Sequence, residues 1–183
     1  SDRDGNWEIY TMHADGSEQR RLTSGQGANT APSWSPDGTN ILFVSTRHAI
    51  NGEIYRMKPD GSGAERLTRD STVKDRPVMS RDGGRIAYAV NHLGRRFLSV
   101  LDPAAGTTNA ITPEDFNSVD PAFDAAGGKV LFAADRDGTP EIYEVSTTGS
   151  HLQRLTWDGL GARAPCATPS KDHILISEKG NIY

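Results

Sequence analysis

Short apolar runs alternate with polar turns along the whole chain, at a spacing of about 44 residues. Four of these runs are almost continuously apolar: Asn40–Ser45, Ile86–Val90, Val130–Ala134 and Ile174–Ile176. A strand that is apolar on both sides is expected to be buried between two layers. The turns contain proline and glycine, as in Pro36-Asp37-Gly38, which supply the dihedral angles of a tight turn. The pattern therefore predicts a repeated, layered all-β fold of short antiparallel strands.

The second repeat shows most clearly how one unit is built. Its predicted strands are Ala31–Ser35, Asn40–Ser45, Glu53–Met57 and Glu65–Thr68. Apolar and polar residues alternate along the third strand, as in a strand that has one face exposed to water. The charged residues of the fourth strand suit an outer edge that must not pair with other molecules. Four antiparallel strands in about 44 residues, with buried middle strands, describe one blade of a β-propeller.

Two sequence markers set the period and the blade boundaries. A pair ending in threonine begins at Leu22, Leu67, Ile111 and Leu155, and a proline follows at Pro32, Pro77, Pro121 and Pro165. By this measure three whole blades (32–76, 77–120 and 121–164) lie between two partial ones (1–31 and 165–183). Because an unpaired sheet edge is a liability, we expect the region to be part of a larger propeller. The alternatives are a four-bladed ring closed by this chain or by a second chain.

Composition narrows the classes of function. The 183 residues include 19 glycines and 10 prolines, which suits many turns and does not suit a helical bundle. A net charge of −4 favours neither nucleic acid nor an anionic membrane as partner. No apolar run reaches the length of a membrane span. The single cysteine, Cys166, excludes an intrachain disulfide framework and a multi-cysteine zinc site. We expect no cofactor, and the sequence leaves the oligomeric state open.

A basic residue recurs in the loop between the second and third strands, at Arg3, Arg47, His92 and Arg136. These loops lie on one face of a propeller, so the four residues could form a basic ring around the central channel. Such a ring could bind a carboxylate, a phosphate or an acidic peptide. The alternative is that each arginine pairs with a nearby aspartate (Asp2, Asp4, Asp135 or Asp137) and braces its loop. Repetition in every blade favours this structural role.

Other candidate motifs are weaker. Asp2–Asn6 places carboxylates two residues apart, but the glycine and glutamate of an EF-hand loop are missing. Gly159–Ala164 matches a dinucleotide-binding spacing, yet Pro165 and a new strand follow where a helix is needed. Neither a Gly-x-Ser-x-Gly nor a His-Glu-x-x-His motif occurs, so we predict no catalytic residue and no metal site. We expect the tryptophans Trp7, Trp34 and Trp157 to be packing groups, with Trp157 also a candidate for a binding surface.

Three segments resemble the TolB-type, WD-like β-propeller repeat: the turn Ser35-Pro36-Asp37-Gly38, the strand Glu53-Ile54-Tyr55 and the segment Arg66-Leu67-Thr68 that ends the repeat. The resemblance covers essentially the whole chain and implies a propeller fold. The family includes the periplasmic TolB protein, which binds partner proteins of the cell envelope. The resemblance therefore implies a non-catalytic scaffold for protein–protein interaction in the periplasm or elsewhere outside the cytoplasm. Similar repeats form the propeller of prolyl-oligopeptidase-like enzymes, so the propeller domain of a larger hydrolase is an alternative. A carbohydrate-binding propeller is another.

Overall fold

The structure, a computed structural model, describes residues 1–25, 27–136, 138–157, 159–168, 173–178 and 181–182. All regular elements within these residues are β-strands. They are β1 (Tyr10–Thr11), β2 (Arg20–Arg21), β3 (Asn29–Trp34), β4 (Ile41–Ser45), β5 (Glu53–Met57), β6 (Glu65–Arg66), β7 (Val73–Met79), β8 (Ile86–His92), β9 (Arg95–Asp102), β10 (Thr107–Ala110), β11 (Val119–Phe123), β12 (Lys129–Ala134), β13 (Glu141–Ser146), β14 (Gln153–Arg154), β15 (Arg163–Ala167), β16 (Ile174–Glu178) and β17 (Asn181–Ile182).

Consecutive strands pair into antiparallel sheets, three of which have four strands: β3–β6, β7–β10 and β11–β14. β1–β2 and β15–β17 form two smaller sheets. Successive sheets contact each other through their first strands, β3 with β7, β7 with β11 and β11 with β15. The first strands are therefore the inner strands around a common channel, and the predicted propeller of four-stranded antiparallel blades is confirmed.

The second strand of each four-stranded sheet is buried, as predicted. All five residues of β4 are buried, and β12 is buried from Val130 to Ala134. The third strand is also buried, as expected of a middle strand, and only the expectation of a half-exposed face is wrong, because β5 is buried at four of its five positions. One of these is Glu53, whose side chain is fully buried. The neighbouring sheets cover both sides of the third strand, so its alternating sequence does not reflect exposure to water.

A buried glutamate at the start of the third strand is bound by residues that close the same repeat. Thr68 Oγ1 donates a hydrogen bond to Glu53 and accepts one from the Ile54 amide at 3.0 Å. Arg66 lies 3.0 Å from the other Glu53 oxygen. The same contacts join Glu8 to Arg21 and Thr23, and Glu141 to Arg154 and Thr156. We call each of these three sets a Glu–Arg–Thr clasp; hydrogen bonds and an ion pair offset the cost of burying the carboxylate.

The clasp also joins one sheet to the next. Asn29, the first residue of β3, donates to Glu8 at 2.8 Å. Lys74 of β7 places its ammonium 3.2 Å from Glu53. The interpretation of β6 as a charged protective edge is therefore wrong for Arg66, whose guanidinium binds inward. Charged residues of the repeat hold adjacent blades together in addition to the apolar core.

The sheet β7–β10 lacks the clasp, and both charged members are absent together. Phe97 and Ala110 stand where the other repeats have glutamate and arginine. Thr112 remains and accepts the Leu98 amide at 2.8 Å. The ring of Phe97 is 9% exposed and packs in the apolar core. The sequence thus replaces the ion pair as a unit, because a buried glutamate without its arginine would be costly.

Candidate binding face

The two ends of the sheets form two faces of the propeller. Pairing of Asn29 with Ser45 and of Ser45 with Glu53 puts the start of an inner strand beside the loop that follows the second strand. We call this face the loop face; it is formed by loops 46–52, 93–94 and 135–136 and by the segments that precede the first strand of each sheet. The opposite face, formed by turns 35–40, 80–85 and 124–128, is the turn face.

Each inner strand has a bulge at the residue before its repeated proline. These residues are Ala31, Arg76, Asp120 and Ala164, with φ of 49°, 48°, 56° and 47°. The pairing register shifts at the same four places. A left-handed residue that carries a side chain costs about 1–3 kcal/mol, so packing must hold it in place. Together with the repeated prolines, the four residues line a central cavity of about 250 Å³.

A larger cavity, of about 410 Å³, opens where the inner strands of three successive sheets reach the loop face. We call it the loop-face cavity; its charged lining residues are Lys74, Asp75, Arg76, Arg96, Asp120 and Arg163. The ammonium of Lys74 is buried between Asp70, at 2.8 Å, and Glu53, at 3.2 Å. Burial raises the pKa of Asp70, but hydrogen bonds from Lys74 and Thr72 outweigh it, so that the pKa is lowered. The charge of Lys74 is thus balanced within the protein.

The remaining cations of this cavity differ in their partners. Arg76 is paired with Asp120 and lies 3.8 Å from Asp75. The side chains of Arg96 and Arg163 are exposed and have no hydrogen bond or ion pair with any residue that the structure describes. Two arginines of the cavity lining therefore have no ion-pair partner among the described residues.

The predicted basic ring lies on the loop face, but none of its members is among the described residues that line the loop-face cavity. Arg3 stacks on Tyr10, with its guanidinium carbon 4.5 Å from the ring centre. His92 ends β8 and is exposed. The other two arginines also stack on aromatic rings, Arg47 on Tyr55 at 5.0 Å and Arg136 on Phe116 at 4.7 Å.

The alternative of aspartate pairing is wrong for Arg3. Its guanidinium donates to Gln19 at 2.5 Å and to Ser1 at 3.1 Å. Asp4 instead binds Arg21, at 3.2 Å, and accepts a hydrogen bond from the Tyr10 hydroxyl. That hydrogen bond raises the pKa of Tyr10. The loop is therefore stabilised by the cation–π contact of Arg3 with Tyr10 and by Arg21, the arginine of the first clasp. Neither contact joins residues that are adjacent in the sequence.

Large apolar side chains are exposed on the loop face. They are Trp7 (53% exposed), Ile50 (93%), Leu93 (91%), Trp157 (67%) and Leu160 (41%). The prediction that the tryptophans are packing groups is wrong, since Trp34 is also 54% exposed. Trp7 and Trp157 lie in segments outside the sheets, and the Arg154 guanidinium carbon lies 6.0 Å from the centre of the Trp157 ring. Only Trp157 could have been suspected from sequence, because it follows the end of a repeat.

The described part of the chain offers neither a cluster of metal-binding side chains nor a helix that could cross a membrane. No group of three or more histidine, cysteine, aspartate or glutamate side chains there could hold a metal ion. No helix in these residues is long and apolar enough to cross a membrane. The segment with dinucleotide-like spacing leads into β15, a strand, in agreement with its interpretation as a connection between blades.

The inner strands, the central channel and its charged mouth define a β-propeller. The family described as the TolB β-propeller domain matches residues 1–113 and 71–182. The chain belongs to this family, and the resemblance inferred from the repeats is confirmed.

Curated relatives match over about one repeat. A protein of unassigned function from Agrobacterium fabrum is 47% identical over 45 residues, which is 25% of this chain and 15% of the relative. A TolB homologue from Chlorobium chlorochromatii is 41% identical over 44 residues, 24% of this chain and 10% of the relative. The chain thus matches only a small part of the length of these proteins.

Solved structures match over most of the chain. TolB from Acinetobacter baumannii has a TM-score of 0.78 at 19% identity, covering 96% of this chain and 47% of that one. An oligogalacturonate lyase from Vibrio parahaemolyticus has a TM-score of 0.70 at 16% identity, covering 94% and 53%. A puromycin-hydrolysing peptidase from Mycobacterium tuberculosis has a TM-score of 0.66 at 18% identity, covering 82% and 26%. At these identities the likeness concerns the fold alone.

Proposed function

We propose that this chain is a non-catalytic propeller scaffold that binds a protein or peptide partner through its loop face. One observation carries the proposal: exposed tryptophan and leucine side chains occur on the same face as two arginines without an anionic partner. Tryptophan and arginine are the residues that most often dominate the binding energy of protein interfaces. Exposed apolar groups beside polar ones are typical of interaction surfaces.

Comparison of the repeats distinguishes residues that stabilise every blade, which recur, from candidate binding residues, which do not. The Glu–Arg–Thr clasp occurs three times, as expected of a structural element. Trp157 has no aromatic counterpart in the other repeats, where Ser24, Arg69 and Pro113 stand at the corresponding positions. We include the basic ring of Arg3, Arg47, His92 and Arg136 in this proposal, as a cationic border of the loop face. Its stacked arginines retain N–H groups at the ring edge that can meet an anionic partner.

Photo-crosslinking in the cells that encode the protein tests the proposal. A benzoylphenylalanine residue is placed at Trp157 or Leu93 on the loop face, and at Met12 on the opposite side as the matched control. Met12 is 61% exposed, so it is as accessible as Trp157. We expect discrete protein adducts from positions 157 and 93 and none from position 12. Equal adducts from all three positions, or none from either loop-face position, would contradict the proposal.

The partner identified in the adduct is then purified and its binding measured directly. We expect Trp157→Ala to weaken binding at least tenfold, about 1.4 kcal/mol, because a buried aromatic anchor is lost. Met12→Ala should bind as the unchanged protein does. Unchanged affinity of Trp157→Ala would show that the adduct formed by proximity and would overturn the assignment of this face.

The family resemblance also leads us to propose a location outside the cytoplasm. Osmotic-shock fractionation of the same cells measures it, and recovery of the protein with the cytoplasmic fraction would contradict it. A second candidate function is the propeller domain of a larger hydrolase, favoured by the similar fold within the Mycobacterium tuberculosis peptidase. The full-length gene product would then cleave members of a fluorogenic dipeptide panel, whereas the scaffold proposal expects no cleavage.

A further inference from the structure

We propose that the loop-face cavity binds a carboxylate of the partner polypeptide, held by Arg96 and Arg163. The inference rests on the proposed function only in assigning the carboxylate to a protein partner. The cavity lies at the mouth of the channel, so a side chain or chain end of a docked polypeptide can enter it from the loop face. Its volume of about 410 Å³ is within the range of small ligand sites.

The charges of the cavity favour an anion. The charge of Lys74 is neutralised by Asp70 and Glu53, and Arg76 is paired with Asp120. Arg96 and Arg163 form no ion pair with a described residue, and Asp75 is the other carboxylate of the described lining, so positive charge exceeds negative charge in the cavity. The whole protein carries a formal charge of −4, so the unbalanced positive charge is a local property of this cavity. Two exposed arginines line this one cavity, and a guanidinium group offers forked N–H donors to an anion.

The repeat shows that these two arginines are not part of the common scaffold. The position of Arg163 is occupied in the other repeats by Thr30, Asp75 and Val119. The position of Arg96 is occupied by Trp7, Gly52 and Pro140. A residue that braced every blade would recur, as the members of the clasp do. Both arginines occur once and line the same cavity, so a role specific to this cavity explains them better than a role in the fold.

The two aspartates of the cavity select the kind of anion. Asp75 and Asp120 line the same cavity as the arginines, with side chains 62% and 11% exposed. Their negative charge opposes a doubly charged phosphate more strongly than a singly charged carboxylate. A planar carboxylate also accepts two parallel N–H groups from one guanidinium. The cavity therefore fits the side chain of an acidic residue or the carboxyl end of a chain.

Fluorescence anisotropy with labelled peptides tests this inference at low ionic strength. The probe is fluorescein-labelled hexaglutamate with an amidated end. A hexaglutamine amide is the neutral control, and hexaglutamine with a free carboxyl end separates a terminal carboxylate from a side-chain one. We expect hexaglutamate to bind, and the variants Arg96→Gln and Arg163→Gln each to weaken binding about tenfold, as for a lost charge-assisted hydrogen bond. Tighter binding of the free-end peptide than of hexaglutamate would assign the site to a chain end.

Arg81→Gln is the matched control, since it removes the same charge from a cavity on the turn face. It should leave the affinity within twofold of the unchanged protein. Equal weakening by Arg81→Gln, full binding by the Arg96→Gln/Arg163→Gln double variant, or equal binding of the hexaglutamine amide would each overturn the inference. Displacement of the probe by inorganic phosphate at lower concentration than by acetate would overturn the choice of carboxylate. A loop-face crosslink to a partner combined with no hexaglutamate binding would overturn this inference and leave the proposed function intact.

Discussion

Replacing Thr68 by valine tests the Glu–Arg–Thr clasp with little change in shape. Valine keeps the β-branched outline but removes Oγ1, which donates to Glu53 and accepts the Ile54 amide at 3.0 Å. Thr68 is 5% exposed, so water cannot replace these partners freely. The variant leaves a buried N–H and one oxygen of a buried carboxylate without this partner.

The expected loss follows from the two bonds. A hydrogen bond between neutral groups contributes about 1 kcal/mol, and one to a charged group about 1.5–3 kcal/mol. Thr68→Val should therefore lower the free energy of unfolding by about 3 kcal/mol. Thr112→Val is the matched control, because Thr112 is also 5% exposed and accepts the Leu98 amide at 2.8 Å. Since Phe97 replaces the glutamate there, this variant should lose only about 1 kcal/mol.

Urea unfolding followed by far-ultraviolet circular dichroism at pH 7 measures both variants, with the slope against urea checked for each. The difference between the two losses, about 2 kcal/mol, is the contribution of the bond to the carboxylate. Equal losses in the two variants would refute the reasoning. A loss below about 0.5 kcal/mol for Thr68→Val, the size of an ordinary surface effect, would also refute it.

Three further predictions concern the sheet without a clasp, a turn of the turn face and an arginine of the loop face. Phe97→Glu alone should lower the free energy of unfolding by about 3 kcal/mol, and adding Ala110→Arg should recover at least about 1 kcal/mol by completing the clasp. Urea unfolding of the unchanged protein, the two single variants and the double variant measures this coupling, and additive effects would contradict it. Hydrogen bonds, first from Ser35, lower the pKa of Asp37 from 3.8 to about 2. This stabilises the fold above pH 4 and is lost as the pH falls towards 2, so Asp37→Asn should shrink the drop in urea midpoint between pH 6 and pH 3; an equal drop would contradict it. Arg136→Ala should cost about 0.5–1 kcal/mol through its lost cation–π contact. Because Arg136 borders the loop face without lining the loop-face cavity, it should weaken hexaglutamate binding less than threefold, and unchanged thermal stability with lost binding would assign it to the ligand site.

The fold could be predicted from the sequence because each repeat contains its own strand and turn signals. The apolar run Ile41–Val44 and the turn before it carry enough local information to define a blade. The boundaries of the whole and partial blades stay a prediction. Burial of Glu53 in the third strand could not be predicted, because its carboxylate becomes compatible with the core only when Arg66, Thr68 and Lys74 reach it from other parts of the chain.

The candidate site was largely beyond sequence reasoning. The basic residues of the loops are visible as a repeated pattern, but the loop-face cavity is built from residues that break the pattern. Arg96 and Arg163 are 67 positions apart and line the same cavity only because the sheets of β9, β11 and β15 pack side by side. Comparing the residues at equivalent positions of the repeats would have shown that both arginines occur once. It could not have shown that they line the same cavity.

A crystal structure of the protein with bound hexaglutamate amide tests the central claim most directly, namely that residues which break the repeat form the binding site. We predict a glutamate carboxylate within hydrogen-bond distance of both Arg96 and Arg163, with the clasps unchanged. A peptide bound on the turn face beside Arg81, with Arg96 and Arg163 free, would contradict the account.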